Sequence, residues 1–172
     1  MGHIDPTREV FAQFKANDRP GPIHMLNLVR LREQAAYSDG RKASGVEAYA
    51  AYGRESGPVF ERLGGRIVWQ GRFELMLIGP VEERWDHCFI AEYPGVAAFA
   101  EMIRDPVYRE AVKHRQAAVE DSRLIRHAAL PVGKTFGEIP KLKAEAFRKA
   151  VQRVYRGREI SSALTVLVEA RP

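Results

Sequence analysis

The segment from Ile23 to Leu31, "IHMLNLVRL", decides the fold, because it alternates like a β-strand but is apolar on both faces. One face carries Ile23, Met25, Asn27, Val29 and Leu31, and the other carries His24, Leu26 and Leu28. A strand that is apolar on both faces has to be covered on both faces. The segment therefore predicts an interior strand of a sheet that has a cover on each side.

Two Asp-Pro pairs each predict the start of a helix. In Asp5-Pro6 and Asp105-Pro106 the aspartate is the expected N-cap and the proline the first helical residue. The second pair directly follows a short helical pattern, "VAAFAEMI", at residues 96–103. We therefore expect an N-terminal helix and, after residue 95, two consecutive helices.

A further helix is predicted over residues 46–63, whose apolar side chains recur at helical spacing. Gly57-Pro58 interrupts this pattern, and proline removes a backbone donor from a helix, so we expect a kink or a break near Ser56. Gly64-Gly65 is the expected helix stop.

The remaining apolar stretches predict strands. Residues 64–79, "GGRIVWQGRFELMLIG", predict one long or bent strand, or two, with Gly71 as a candidate bulge. Residues 85–94, "WDHCFIAEYP", and 122–130, "SRLIRHAAL", predict two more. The order β-α-β-β-α-β is typical of a ferredoxin-like α+β sandwich.

Such a sandwich leaves one face of its sheet without helices. The strands do not alternate apolar with polar residues, so the second face also needs a cover. A second copy of the same sheet supplies that cover most simply, and a twofold contact is the commonest way to make one. The sequence therefore predicts a homodimer.

Composition narrows the class of protein. The apolar runs are far shorter than the roughly 18 residues that span a bilayer, and no apolar signal segment follows Met1, so we expect a cytoplasmic protein with no membrane partner. The single cysteine, Cys88, excludes an intrachain disulfide and is expected to be a buried small side chain.

The net charge of +5 is unevenly distributed. Residues 131–172 hold nine Lys and Arg against four Glu, so the first 130 residues are neutral. We expect one domain over residues 1–130 and a basic helix-strand extension over 131–172 that packs on the domain or on its dimer partner. No nucleic-acid module accompanies the extension, so nucleic acid is not the expected partner, although polyanion binding by the extension stays an alternative.

Several motifs together resemble one known family. They are "YAAYGRESGPVFERLGGRIVWQG" at residues 49–71 and "WDHCFIAEYPGVAAFAEMIRDPVYREAVKHRQAAVEDSRLI" at 85–125, with "MLNLVR" upstream. This combination is similar to the domain-of-unknown-function 1330 family within the dimeric α+β barrel superfamily, over about residues 23–127. Residues after Leu130 depart from the family pattern.

The resemblance implies a dimer with a pocket between its sheet and its helices. The family itself has no established function, and its better-known relatives include cofactor-free monooxygenases, muconolactone isomerases and, more distantly, haem enzymes. Because one fold carries such different chemistry, the activity has to be argued from side chains.

The helix after Asp105 places two candidate residues near its buried face. Arg115 shares an apolar stripe with Tyr108 and Val112, and His114 lies in the flanking row. A buried arginine needs an anion, a carboxylate or backbone carbonyls. Either Arg115 binds an acidic ligand through its planar donors, or it forms a structural ion pair, for instance with Glu92 or Glu61. His114 has the same two alternatives.

Two strands carry further candidates. Asn27 is the only polar residue on its strand face, and a buried amide has to be hydrogen-bonded, either to protein or to a ligand. His24 and His87 also lie on predicted strands, but no ligand spacing around them supports a metal site. We expect neither a metal nor a cofactor.

Aromatic residues complete the candidate site. Tyr52 and Trp69 have a polar group on an apolar ring and are candidate ligand contacts, although such residues also build ordinary cores. The Gly-rich segments lack the phosphate-loop spacing, so nucleotide binding by that route is not predicted.

Three functions remain open from the sequence. The first is a cofactor-independent isomerase, lyase or monooxygenase that acts on a small acidic or phenolic molecule. In it His24 or His114 is the general base, and Asn27 with Arg115 stabilises an enolate-like oxygen. The second is a non-catalytic binding or interaction protein, and the third is polyanion binding by residues 131–172.

Overall fold

Four strands form one antiparallel sheet: β1 (Ile23–Leu31), β2 (Arg66–Gly71), β3 (His87–Tyr93) and β4 (Val119–Ala128). Their order across the sheet is β2-β3-β1-β4. This computed structural model describes residues 2–130 of the chain. The predicted extension and its polyanion binding lie outside those residues.

The four helices are α1 (Arg8–Ala16), α2 (Gly45–Arg62), α3 (Val96–Arg104) and α4 (Pro106–Ala118). After α1, the chain runs β-α-β-β-α-β, with α3 and α4 together forming the second helical connection. This order of elements and of strands is the ferredoxin-like α+β arrangement, so the predicted fold class is confirmed.

Strand β1 lies in the interior of the sheet, as its sequence predicts. Ile23 is opposite Tyr93 on β3 and Ala128 on β4, so β1 has a backbone partner on each side. The face that carries Ile23 and Met25 packs against the helices and forms the core together with Val59, Phe99, Met102 and Tyr108.

The opposite face of the sheet has no helix against it in the described part of the chain. Leu26 and Leu28 of β1 are only partly buried there, and Ile125 of β4, which is opposite Leu26, is 44% exposed. We call this surface the open face. It is the apolar face that the sequence predicts to need a second cover.

The start of α4 is as predicted. The Asp105 carboxylate accepts hydrogen bonds from the backbone N–H groups of Val107 (2.8 Å) and Tyr108 (3.2 Å), and Pro106 is the first helical residue. The Arg62 guanidinium contacts the second Asp105 oxygen at 2.6 Å, which joins the ends of α2 and α4.

The predicted start of α1 is wrong by two residues. Thr7, not Asp5, is the N-cap, and its hydroxyl accepts from the Val10 backbone N–H at 3.3 Å. A threonine hydroxyl serves this position as an aspartate does, so the pattern alone does not choose between them. Asp5 is thereby free to contact another part of the protein.

Of the kink or break predicted near Ser56, the break is wrong, because α2 continues through Pro58. Pro58 leaves the Arg54 carbonyl without its helical donor, but both residues are exposed, so water can replace that donor. The helix ends where expected: Gly64 has a φ of +77°, a left-handed conformation that glycine adopts without strain.

Strand β2 is shorter than predicted, since it ends at Gly71 and residues 72–86 form a loop. The irregularity in its pairing with β3 lies between Ile67 and Trp69, not at Gly71. Leu77 and Ile78 are apolar but project into solvent from the loop, so nothing in the described residues pairs or packs with them to extend the strand.

We predict that truncating the fully buried Val29 is costly for folding. Val29→Ala removes two buried methyl groups and leaves a small cavity, which should lower the free energy of unfolding by about 2 kcal/mol. Val46→Ala is the matched control, because Val46 is 65% exposed on α2 and its truncation should change little. Urea unfolding of the two variants measures the difference, and equal effects would contradict the assignment of β1 to the core.

Candidate functional site

A cavity of about 1290 Å³ lies between the helix-covered face of the sheet and helices α1, α2, α3 and α4. All four strands contribute to its walls, and the segment before α1 contributes to its rim. Cavities of this kind, bounded by apolar side chains with a few polar groups, are the usual sites of small-molecule binding.

Four tyrosines line the cavity: Tyr49, Tyr52, Tyr93 and Tyr108. The hydroxyls of Tyr52 and Tyr108 lie 3.5 Å apart, and the rings of Tyr49 and Tyr52 have centroids 5.6 Å apart. Burial raises the pKa of Tyr49, Tyr93 and Tyr108, so these phenols stay neutral. The cavity thus offers neutral hydroxyls and aromatic faces.

Asn27 of β1 also lines the cavity. Its amide nitrogen donates to the Met25 carbonyl at 2.9 Å. Because only the nitrogen of the amide can donate to a carbonyl, this bond fixes the orientation of the group. The Asn27 carbonyl oxygen accepts no hydrogen bond from the described residues, and it can therefore accept one from a ligand.

Arg115 of α4 places a positive charge at the cavity wall, where its side chain is only 12% exposed. Its Nη1 donates to the Ile4 carbonyl at 2.7 Å and lies 3.5 Å from an Asp5 carboxylate oxygen, and its Nη2 donates to the Ser122 hydroxyl at 3.1 Å. The ion pair is therefore with Asp5, not with Glu92 or Glu61 as the sequence suggested.

The residues before α1 form a strap, residues 2–7, along the rim of the cavity beside β4. The Ser122 backbone N–H donates to the His3 carbonyl at 2.8 Å, and the His3 backbone N–H donates to the Asp121 carboxylate at 2.7 Å. Burial raises the Asp121 pKa, but hydrogen bonds from His3 and Arg123 outweigh it and bring the pKa to about 2. A charged Asp121 thus holds the strap at neutral pH.

His24 lies on the open face, not in the cavity. Its Nε2 is 2.7 Å from a Glu92 carboxylate oxygen, and Arg66 contacts the other oxygen at 2.7 Å. Hydrogen bonds from Arg66 and then from His24 lower the pKa of Glu92. Three positions separate His24 from Asn27, so the two side chains project from opposite faces of β1, and the predicted joint site is not formed.

His114 also lies outside the cavity walls. Its Nδ1 is hydrogen-bonded to the Tyr37 hydroxyl at 2.5 Å, and its Nε2 is 3.2 Å from a Glu55 carboxylate oxygen. His114 therefore joins α4 to α2 and to the loop after β1. Although it adjoins Arg115 in sequence, its side chain does not reach the cavity that Arg115 lines.

The three predicted ligand contacts do not lie together in the structure. Tyr52 lines the cavity, whereas Trp69 and His87 do not. Trp69 lies on the edge strand β2 and is 51% exposed. The His87 ring stacks on Tyr49 with centroids 4.8 Å apart, and burial lowers the His87 pKa, so His87 supports a cavity residue from behind as a neutral imidazole.

Residues that line the cavity but were not predicted as site residues include Tyr49, Tyr93, Tyr108, Ser122 and Asp5. Tyr108 lies in the same helical stripe as Arg115, which is a signal that could have identified it. Asp5 had no such signal, because its proximity to Arg115 depends on the path of the strap.

No group of three or more histidine, cysteine or acidic side chains among residues 2–130 is arranged to hold a metal ion. In the same part of the chain, no helix has both the length and the apolar character needed to cross a bilayer.

Comparisons with known proteins place this chain in a family. The model of a family described as "Domain of unknown function (DUF1330)" matches residues 42–128. A comparison with curated proteins finds no match.

Two similar crystal structures are of RPA0582, described as a protein of unknown function from Rhodopseudomonas palustris. The structure of the methylated protein is 80% identical, with a TM-score of 0.76 over 77% of this chain and 98% of that chain. The other is 79% identical, with a TM-score of 0.75 over 77% of this chain and all of that one (100%).

A third structure, of a dimeric protein of unknown function with a ferredoxin-like fold from Bacteroides fragilis NCTC 9343, is far less similar. It is 13% identical, with a TM-score of 0.40 over 62% of this chain and 95% of that chain, and we infer nothing from it. The family match over half of the sequence and the similarity to RPA0582 over most of it are sufficient: this chain belongs to the DUF1330 family.

Proposed function

We propose that this protein is a homodimer whose cavity binds a small acidic or phenolic organic molecule. The observation that carries the proposal is Arg115, a mostly buried guanidinium in the wall of a 1290 Å³ cavity. A planar guanidinium binds carboxylate and enolate oxygens well, and the carboxylate that now lies against it, that of Asp5, is half exposed and 3.5 Å away.

The other polar groups of the cavity fit the same kind of ligand. Neutral phenols both donate and accept hydrogen bonds, and the Asn27 side-chain oxygen, which accepts none from the described residues, can accept one from a hydroxyl. Arg115, Tyr49 and Tyr108 line the same cavity. The tyrosine rings present faces and edges to a planar ligand.

Binding is better supported than catalysis. The hypothesis of a cofactor-independent enzyme relied on His24 or His114 as the general base, and a base has to reach the proton that it removes. His24 is on the open face with Glu92, and His114 is between Tyr37 and Glu55. Neither imidazole can act within the cavity in this arrangement.

The homodimer is supported by the open face. Its apolar side chains come from three neighbouring strands and have no helix above them among the described residues. They are Leu26 and Leu28 of β1, Ile90 of β3 and Ile125 of β4. A second sheet packed on this face would remove their apolar surface from water, which is the main favourable term in association. Twofold symmetry would satisfy the same surface on both chains.

A charge on the open face should therefore dissociate the dimer. We expect Ile125→Glu to shift the protein from dimer to monomer, because each interface would bury two added carboxylates. Val46→Glu adds the same charge at an exposed position on α2 and should leave the dimer intact. Sedimentation velocity measures both, and a dimeric Ile125→Glu protein would contradict this interface.

Phenol is a simple probe of the cavity. We expect phenol to shift the NMR signals of the four cavity tyrosines. The Asn27→Ala variant should bind phenol about fivefold more weakly, which corresponds to the roughly 1 kcal/mol of one hydrogen bond. Asn17→Ala is the control, because Asn17 is exposed at the end of α1. If phenol does not perturb the tyrosines, or if both variants bind it equally, Asn27 does not contact the ligand.

A further inference from the structure

The Asp5 carboxylate occupies the position that a ligand carboxylate would take on Arg115. One of its oxygens lies 3.5 Å from Arg115 Nη1, and the other accepts from the Gln116 side-chain amide at 3.0 Å. All three residues line the cavity. Arg115 and Gln116 therefore hold a carboxylate at the rim of the cavity, and that carboxylate, of Asp5, belongs to the chain itself.

We propose that Asp5 and the strap are an internal competitor of the ligand, and that the ligand is a carboxylate that displaces Asp5 from Arg115. This inference rests on the proposed function of the cavity and deepens it, because it names the ligand group and the segment that regulates access to it.

The contacts of Asp5 are weak enough for displacement. Its carboxylate is about half exposed (47%), and its distance from Arg115 is longer than that of a good charge-assisted hydrogen bond. Water reaches the half-exposed Asp5 carboxylate and competes for it, which weakens its attraction to the mostly buried Arg115. Asp5 also makes no contribution to the start of α1, where Thr7 is the N-cap. Helix α1 does not depend on Asp5.

Arg115 remains in position when the strap moves away. The two strap groups near its guanidinium, the Ile4 carbonyl and the Asp5 carboxylate, both approach Nη1. Nη2 donates to Ser122, which belongs to β4 and not to the strap. Movement of the strap thus frees one nitrogen of a guanidinium that the sheet still orients.

The strap has no helix or strand of its own in residues 2–7. His3, Ile4 and Asp5 make its hydrogen bonds to β4 and α4, and Thr7 at its end caps α1. The Ser122 backbone N–H donates to the His3 carbonyl at 2.8 Å and to the Asp121 carboxylate at 3.0 Å, so loss of the first bond when the strap leaves speeds the exchange of that amide hydrogen.

The test compares benzoate with benzamide, which has the same shape and no charge. In Asp5→Asn the competing charge is gone, so benzoate should bind about tenfold more tightly than to the unchanged protein, with no gain for benzamide. Glu9→Gln removes the same charge from an exposed position four residues away and should change neither affinity. Titrations followed by NMR give all six dissociation constants.

A second measurement does not depend on any variant. Saturating benzoate should speed the exchange of the Ser122 amide hydrogen, because the strap leaves, whereas saturating phenol should not. The inference is overturned if Asp5→Asn leaves benzoate affinity unchanged or lower, if both probes gain equally, or if benzoate does not affect Ser122. If phenol, benzoate and benzamide all fail to bind, the proposed function fails, and the inference fails with it.

Discussion

The pairing of β1 with a strand on each side is the constraint on which the rest of the structure depends. It places an apolar strand in the interior of the sheet, with Ile23 opposite Tyr93 and Ala128. The two faces of β1 then have different surroundings. The face of Met25 and Asn27 meets the helices and the cavity, and the face of Leu26 and Leu28 is left for another cover.

Arg115 connects the elements that meet at the cavity. It projects from α4, donates to Ser122 of β4, and contacts the strap through Ile4 and Asp5. A guanidinium has several donors in a fixed plane, so one side chain of α4 can bind both the adjoining strand β4 and the strap, which is distant in sequence. The same property makes it suitable for a ligand, and structural and binding roles therefore coincide at one residue.

Much of the fold follows from local patterns. β1 has the predicted bounds, Asp105 caps α4, and Gly64 follows the end of α2. The errors fall where two residue types serve one role, as with Thr7 and Asp5, or where solvent removes a local penalty, as at Pro58. Neither can be decided from spacing alone, because each depends on what lies next to the residue in space.

The sequence by itself determined the order of elements, the interior strand, and the presence of Asn27, Tyr52 and Arg115 on buried faces, because periodicity fixes which side of a strand or helix a residue occupies. It could not determine partners across the chain. Only the tertiary structure separated His114 from the cavity and brought Asp5 to Arg115. These contacts join residues up to 110 positions apart, and the packing of helices and strap on the sheet, which no local pattern encodes, decides them.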